Sequence, residues 1–354
     1  MTQKIAVILF NLGGPDKPES IRPFLFNLFN DPAIIRVPNP LRYLIAQMIS
    51  RRREKTARAI YQQVGGRSPI LPNTEKQAEA LQKQLNQQDG ENTYRCFVSM
   101  RYWHPFADET VADVKAFGPD RIILLPLYPQ FSTTTTASSF EAWRDAADSA
   151  SLRVPSQSLC CYPQMQGFVD ALAIRIAKLY GEASTHGKPR LLLSAHGLPE
   201  KIVKAGDPYA WQCEQSATAV VQALNIPDLD WILCYQSRVG PLKWIGPATD
   251  DEVRRAASDR VPVIIAPLAF VSEHSETLVE IDIEYRHLAA QKGVPYYAYT
   301  GAVATDSSFI AGLAQQVIEA AQHRQQCTSN RKCRLCPAAF DDCITSDHPE
   351  RVGV

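Results

Sequence analysis

Two distant stretches of the chain repeat one another. Ile122-Ile-Leu-Leu-Pro-Leu-Tyr-Pro-Gln-Phe-Ser132 and Val263-Ile-Ile-Ala-Pro-Leu-Ala-Phe-Val-Ser272 each carry an apolar run, a Pro-Leu pair, aromatic residues and a serine ahead of a helical pattern. The repetition extends further. Ile5–Phe10 ends in Asn11–Pro15 as Leu191–Ser194 ends in Ala195–Pro199, and Tyr94–Met100 runs into Arg101 as Trp231–Tyr235 runs into Gln236–Pro241. With Ser156–Cys161 and Tyr296–Tyr299 added, each half alternates short buried-strand runs with longer helical patterns. That profile predicts α/β architecture: two similar doubly wound, Rossmann-like domains, with the active site in the cleft at their carboxyl strand ends. The expected boundaries are 1–164 for the first domain, completed by a helix around 305–325, 165–304 for the second, and 326–354 for a cysteine-rich extension.

The cleft side of these strands collects the reactive side chains. Val263–Pro267 stops at a loop carrying Phe270, Ser272, Glu273 and His274, and a helical pattern opens with Glu276. Ser272 reads as its N-cap, and a helix N-terminus favours a neutral imidazole at His274. Glu273, Glu276, Glu280 and Glu284 recur at spacings of three and four, which suits either a solvated acidic face or a line of carboxylates conducting cations and protons. His196, Arg101 and Tyr128 fall at strand ends on the same side. An Arg beside Tyr102 and Trp103 suits a flat anionic ligand, with a packed aromatic cluster as the competing reading. The glycines of Asn11-Leu12-Gly13-Gly14-Pro15 leave room for a ligand to approach the backbone. No dinucleotide fingerprint or Walker motif accompanies them.

Charge and composition narrow the class. Lys+Arg and Asp+Glu balance at 37 each, so nothing points to a nucleic-acid partner, and 45% hydrophobic content is that of a globular protein. No apolar run approaches the roughly 20 residues of a membrane helix, and the first residues lack a signal-peptide pattern, which predicts a cytoplasmic protein. Leu41, Tyr43, Leu44, Ile45, Met48 and Ile49, followed by Arg51–Arg53, form an apolar segment with a basic end. It reads equally as a lip touching membrane or greasy substrate and as a core-packed helix whose arginines snorkel. A peripheral position on the inner face of a membrane and a homodimer are both compatible with the sequence.

Six motifs, in order, carry a resemblance to ferrochelatase: Asn11–Pro15, Arg101-Tyr102, Tyr128–Ser132, Ser194-Ala-His196-Gly-Leu-Pro199, Tyr235–Pro247 around Trp244, and Ser272-Glu-His274-Ser-Glu276-Thr-Leu278. The likeness runs from about residue 4 to about 320. It implies insertion of Fe2+ into protoporphyrin IX to form protohaem, a lyase reaction and the last step of haem biosynthesis. It assigns catalysis to His196, Glu276 and His274, with His196, Glu273, Glu276 and Glu280 on the path of the substrate metal, along a segment that is often a π-helix. It places Leu12, Tyr61, Ser68, Arg101, Tyr102, Tyr128, Trp244 and Phe270 on porphyrin-pocket positions.

Past about residue 323, Cys333-x-x-Cys336 and Cys343, with Cys327 nearby, read as thiolate ligands for a cluster or zinc. The resemblance implies a 2Fe-2S cluster on Cys333, Cys336 and Cys343, of structural or regulatory use because porphyrin metalation involves no net redox change. The internal position used by animal members falls at Thr133, which cannot serve. Cys161 or Cys160 is the expected fourth ligand; neighbours on a strand are expected to point to opposite faces, so that one alone reaches. Cys327 would instead complete an all-tail site equally suited to zinc. Cys96, Cys213 and Cys234 read as ordinary buried thiols. Two other functions compete: a chelatase for another tetrapyrrole, with iron for coproporphyrin or cobalt for sirohydrochlorin, and a non-catalytic tetrapyrrole or metal carrier.

Overall fold

The computed structural model describes residues 2–238, 240–322, 327–331 and 334–345. Nine strands are found among them: β1 (Lys4–Asn11), β2 (Thr93–Met100), β3 (Arg121–Pro126), β4 (Ser156–Cys161), β5 (Arg190–His196), β6 (Asp230–Gln236), β7 (Val263–Pro267), β8 (Tyr297–Tyr299) and β9 (Cys327–Ser329). They form two parallel sheets, ordered β2-β1-β3-β4-β9 and β6-β5-β7-β8. Apart from β9, the two orders are the same, so the repetition in the sequence is a repetition of topology.

The central strands are buried on both faces, because crossover helices cover each sheet above and below. From Ile5 onward every residue of β1 is buried, and all of β7 is. Ile8 of β1 lies opposite Phe97 of β2 and Leu124 of β3; Leu192 of β5 lies opposite Ile232 and Ile265 in the second sheet. Edge strands β2 and β6 show the mixed burial of one-sided cover.

One apolar cluster runs through both halves, from Val7 and Leu125 in the first sheet through Phe168 and Leu172 to Leu193 and Ile264 in the second. Helix Gln166–Ala183 packs on helix Tyr209–Leu224 and β7, and helix Ser307–Gln322 returns to pack on helix Ile70–Gln88, β3 and β4. The prolines between Ser20 and Arg58 leave two helices, Ile21–Phe29 and Leu41–Gln62; Pro23 is tolerated in a first turn, where its missing N–H is no loss. Strand β9, which the sequence does not announce, adds the start of the cysteine-rich tail to the sheet edge, Cys327 opposite Ser158.

Candidate active site

Strand β5 runs to His196, which sets that imidazole at the strand's last position, facing the first residue of a π-helical segment, Glu276–Tyr285. His196 Nδ1 lies 3.0 Å from Glu276 Oε2, with 34% and 33% of the two side chains exposed. The buried His274 approaches the same oxygen through Nε2 at 3.7 Å, and its Nδ1 is buried without a hydrogen-bond partner. Phe270 packs edge-on to His196, centroids 6.2 Å apart, and 4.5 Å from His274. The His196 backbone is pinned too: Tyr209 Oη donates to its carbonyl at 2.9 Å.

The electrostatics follow from this geometry. Burial pushes the His196 pKa down, but the Glu276 charge and hydrogen bond, with Glu280 behind, outweigh it and leave the pKa raised. Burial acts on Glu276 in the opposite sense, and the two imidazoles hold its carboxyl well below the usual range. Both shifts favour the charged pair, with the proton on His196 and the negative charge on Glu276.

Glu280 stands one step along the π-helical segment. It accepts from the Ser237 backbone N–H at 2.8 Å, from the Ser237 hydroxyl and from Tyr285 Oη at 2.7 Å. Glu284 beyond it is exposed. Glu273, placed on the same path from the sequence, is engaged elsewhere: its carboxylate accepts from the Ala302 N–H at 2.7 Å, from Tyr299 Oη at 3.0 Å and from Thr277 Oγ1. The wide π turn also corrects the expected N-cap. Ser275 occupies the cap position without a side-chain bond to the helix backbone, and the Ser272 hydroxyl donates to Gln77 instead.

Across the cleft, Arg101 follows β2. Its Nη2 pairs with Asp31 at 2.8 Å and its Nε donates to Ser138 Oγ at 2.6 Å. Tyr102 lies behind it, fully buried, with its hydroxyl on Asp31 at 2.8 Å. Leu12, Tyr61 and Tyr102 form an apolar wall with Ile21 and Phe24. Tyr61 Oη receives the Ser275 hydroxyl at 3.5 Å, and Tyr128 is half-buried with an unpartnered hydroxyl. The room beside the glycine pair is taken by the chain itself. A side chain on Gly14 would meet Ser68 at 2.5 Å, and one on Gly13 the Trp103 backbone at 3.0 Å, so these glycines admit Ser68 and Trp103 rather than a ligand. A side chain on Gly197 would likewise meet the Gln236 carbonyl at 2.9 Å and the Trp244 ring at 3.2 Å, and Trp244 bridges Pro199 there.

Sequence reading missed Asp31, Ser138, Tyr209, Asn73 and Gln77. Only the last left a signal: Thr74 and Gln77 interrupt the buried stripe Ile70, Ala78, Leu81, Leu85 of their helix, and a polar residue on a core stripe needs a specific partner.

The tail thiols gather under the first domain. Gln212 Nε2 donates to Cys336 Sγ at 3.1 Å and approaches Cys161 Sγ at 3.5 Å, while its Oε1 accepts the Phe131 N–H at 2.8 Å. Cys160 and Cys161 sulfurs lie 3.0 Å apart, both packed with Cys327. The expected opposition of Cys160 and Cys161 fails because the pairing of β4 with β9 slips between Leu159 and Cys161, so regular alternation ends there. Thr133 is bound to the buried Asp207 through both its N–H and its hydroxyl, at 2.8 and 2.7 Å. Cys333 lies outside the described residues.

A family model described as Ferrochelatase matches residues 4–321. The chain belongs to the ferrochelatase family. The ferrochelatase of Caulobacter vibrioides is 50% identical over 97% of this chain and 98% of its own length, and that of Pelagibacter ubique is 47% identical over 96% and 98%. A ferrochelatase of Wolbachia is 52% identical over 89% of this chain and 99% of its own. Among solved structures, SirB from Bacillus subtilis with Fe3+ superposes with a TM-score of 0.51 at 14% identity, covering 90% of this chain and 96% of that one. That likeness establishes the two-domain chelatase fold.

Proposed function

We propose that the cleft inserts Fe2+ into protoporphyrin IX, with His196 and Glu276 at the metal and His274 orienting Glu276. The observation that carries this reading is the 3.0 Å contact between His196 and Glu276 at facing element ends, a third exposed to the cleft. The reaction exchanges one Fe2+ for two pyrrole protons and requires a base beside the macrocycle centre. A neutral imidazole and a carboxylate accept Fe2+ without holding it too tightly for release. Arriving Fe2+ displaces the His196 proton toward Glu280 and solvent; as the metal passes to the ring nitrogens, the freed His196 takes the two pyrrole protons in turn, and each leaves by way of Glu276. Glu280, held by Ser237 and Tyr285, and then the exposed Glu284, lead protons outward and metal inward. Arg101 keeps Nη1 free of the bonds to Asp31 and Ser138, available to a propionate carboxylate, with Tyr128, Trp244 and Phe270 against the ring plane.

For the tail, the reading is a 2Fe-2S cluster that Cys161, Cys336 and Cys343 would hold, with Cys333, which lies outside the described residues, as the remaining ligand. Cys161 and Cys336 share the Gln212 amide, and a hydrogen bond from Cys336 holds the Cys343 thiol below its usual range. Among the described residues no three side chains make a ready metal cage, and Cys160 and Cys327 stand beside the set. Such a cluster would supply a redox-sensitive clasp on the tail and no electron to the reaction.

No described helix is long and apolar enough to cross a membrane. Helix Leu41–Gln62 nevertheless turns Leu41, Tyr43, Leu44 and Met48 outward ahead of Arg51 and Arg52, which supports peripheral attachment to an anionic surface.

The test offers the purified chain, under argon, protoporphyrin IX or coproporphyrin with Fe2+ and sirohydrochlorin with Co2+. Preferential metalation of protoporphyrin IX is expected. Faster metalation of either alternative would overturn the substrate assignment, and binding of all three without metalation would make the chain a carrier.

A further inference from the structure

Helix Ile70–Gln88 belongs to the first half, yet two of its side chains reach the loop that carries His274. Gln77 is fully buried and every hydrogen of its amide nitrogen is used: Nε2 donates to the carbonyls of Val271 and Ala304, both at 2.9 Å, while Oε1 accepts the Ser272 hydroxyl at 2.6 Å. One helical turn earlier, on the same face, Asn73 Nδ2 donates to the Glu273 carbonyl at 3.1 Å. The three consecutive residues before His274 are thus held by one helix of the opposite domain. Flipping the Gln77 amide would set its oxygen against two carbonyls, so the network fixes its orientation.

The same amide fixes a strained neighbour. Ala304 has φ +51°, a left-handed conformation that a Cβ disfavours, and its N–H donates to Val271 O at 2.9 Å. Gln77 bonds to both carbonyls of that pair, so its removal frees the loop before β7's helical segment and the loop after β8 together.

We infer that Gln77, with Asn73, is a positioning residue for metal insertion: it sets the distance across the cleft between the porphyrin wall of the first domain and the His274–Glu276 turn of the second. The inference rests on the assignment of His196 and Glu276 to the metal. It makes a distinctive claim, because Arg101, Tyr102 and Leu12 of the porphyrin wall stand on the first-domain side that anchors the clamp, while Phe270 adjoins the clamped Val271. Loss of Gln77 should therefore damage metal handling and turnover per site far more than porphyrin binding.

The experiment compares Gln77→Met, Ser272→Ala and Leu81→Ala in the full chain. Leu81 is buried on the same helix and makes no bond to the loop, so Leu81→Ala reports destabilisation alone. Porphyrin-binding sites are counted by fluorescence titration, and kcat per site and KM for Fe2+ are measured beside Tm. For Gln77→Met the expected result is a fall in kcat per site of about tenfold with a raised KM for Fe2+ and protoporphyrin Kd within about twofold, from misplaced reacting groups. Ser272→Ala, which removes a single bond, is expected to move the same two constants by a smaller factor; Leu81→Ala lowers Tm and leaves both at wild-type values. If Gln77→Met and Ser272→Ala lose only binding sites, in step with their Tm, and keep kcat per site and the KM for Fe2+, the inference is wrong. Retained turnover in His196→Ala would instead bring down the site assignment beneath it.

Discussion

His196 Nδ1 and Glu276 Oε2 meet at 3.0 Å, and the carboxylate oxygen that receives the one imidazole also faces His274 at 3.7 Å. A single carboxylate therefore serves two histidines, one open to the cleft and one buried. Replacing it by an amide keeps the shape and removes the proton acceptor. Glu276→Gln should lower kcat for metalation by about a hundredfold or more, the usual scale for a lost acid–base group, with porphyrin binding retained. Stopped-flow fluorescence of bound protoporphyrin checks this, and a loss under fivefold would remove Glu276 from the proton path.

The pair also fixes a pH dependence. His196 is raised above its ordinary 6.5, so the stability it contributes is full below that value and is lost as pH rises through the folded pKa. Glu276 is depressed below its ordinary 4.5, so its contribution is full above that value and is lost as pH falls through the folded pKa. The cleft is thus most stabilised between about 4.5 and 6.5, whereas proton acceptance needs the neutral imidazole at higher pH. Imidazole NMR should show His196 titrating above 6.5 in the wild type and lower in Glu276→Gln. An unchanged titration would show that Glu276 does not set its charge.

The Asp31–Arg101 contact is a different kind of pair. Asp31 is 2% exposed and also receives Tyr102 Oη, Ser138 Oγ and the Ala33 N–H. Asp31→Asn leaves the guanidinium without its counter-charge in a partly buried site, which should cost about 3 kcal/mol in urea unfolding. A cost below about 1 kcal/mol would mean that Arg101 finds solvent or another partner.

For the tail, the shared Gln212 amide singles out Cys161 over Cys160. Cys161→Ser, Cys336→Ser and Cys343→Ser should each abolish visible absorption of the anaerobically purified protein, while Cys160→Ser keeps it. The reverse result for the two strand cysteines would exchange their roles. Zinc with no chromophore would replace the cluster.

At the outer helix, Leu41→Ser/Leu44→Ser removes two large apolar side chains from its exposed face. The double variant should sediment with anionic vesicles several-fold less than the wild type at unchanged turnover in detergent. Equal sedimentation would assign that face another use.

The fold was legible because buried parallel strands are short apolar runs, and each half contains the same succession of them; the placement of His196 and Arg101 at strand ends, and of Glu276 where the following helical segment opens, was legible because strand ends are where such sheets expose side chains. What stayed hidden depends on pairings distant in sequence. Ser272 reads locally as a helix cap, but its hydroxyl goes to Gln77, 195 positions away. Glu273 reads as one more step in an acidic stripe, but Tyr299 and Ala302 claim it. Gly13 and Gly14 look like ligand space until Trp103 and Ser68 fill it. Cys160 and Cys161 should diverge by strand alternation, and a slipped register brings their sulfurs together.

The most direct measurement is a single-turnover experiment: enzyme in excess over protoporphyrin IX, mixed anaerobically with Fe2+, for the wild type, His196→Ala and Glu276→Gln. The account predicts equal quenching on porphyrin binding in all three, fast loss of the remaining porphyrin signal in the wild type, and rates near the uncatalysed background in both variants. Wild-type rates in His196→Ala, with porphyrin bound, would contradict it.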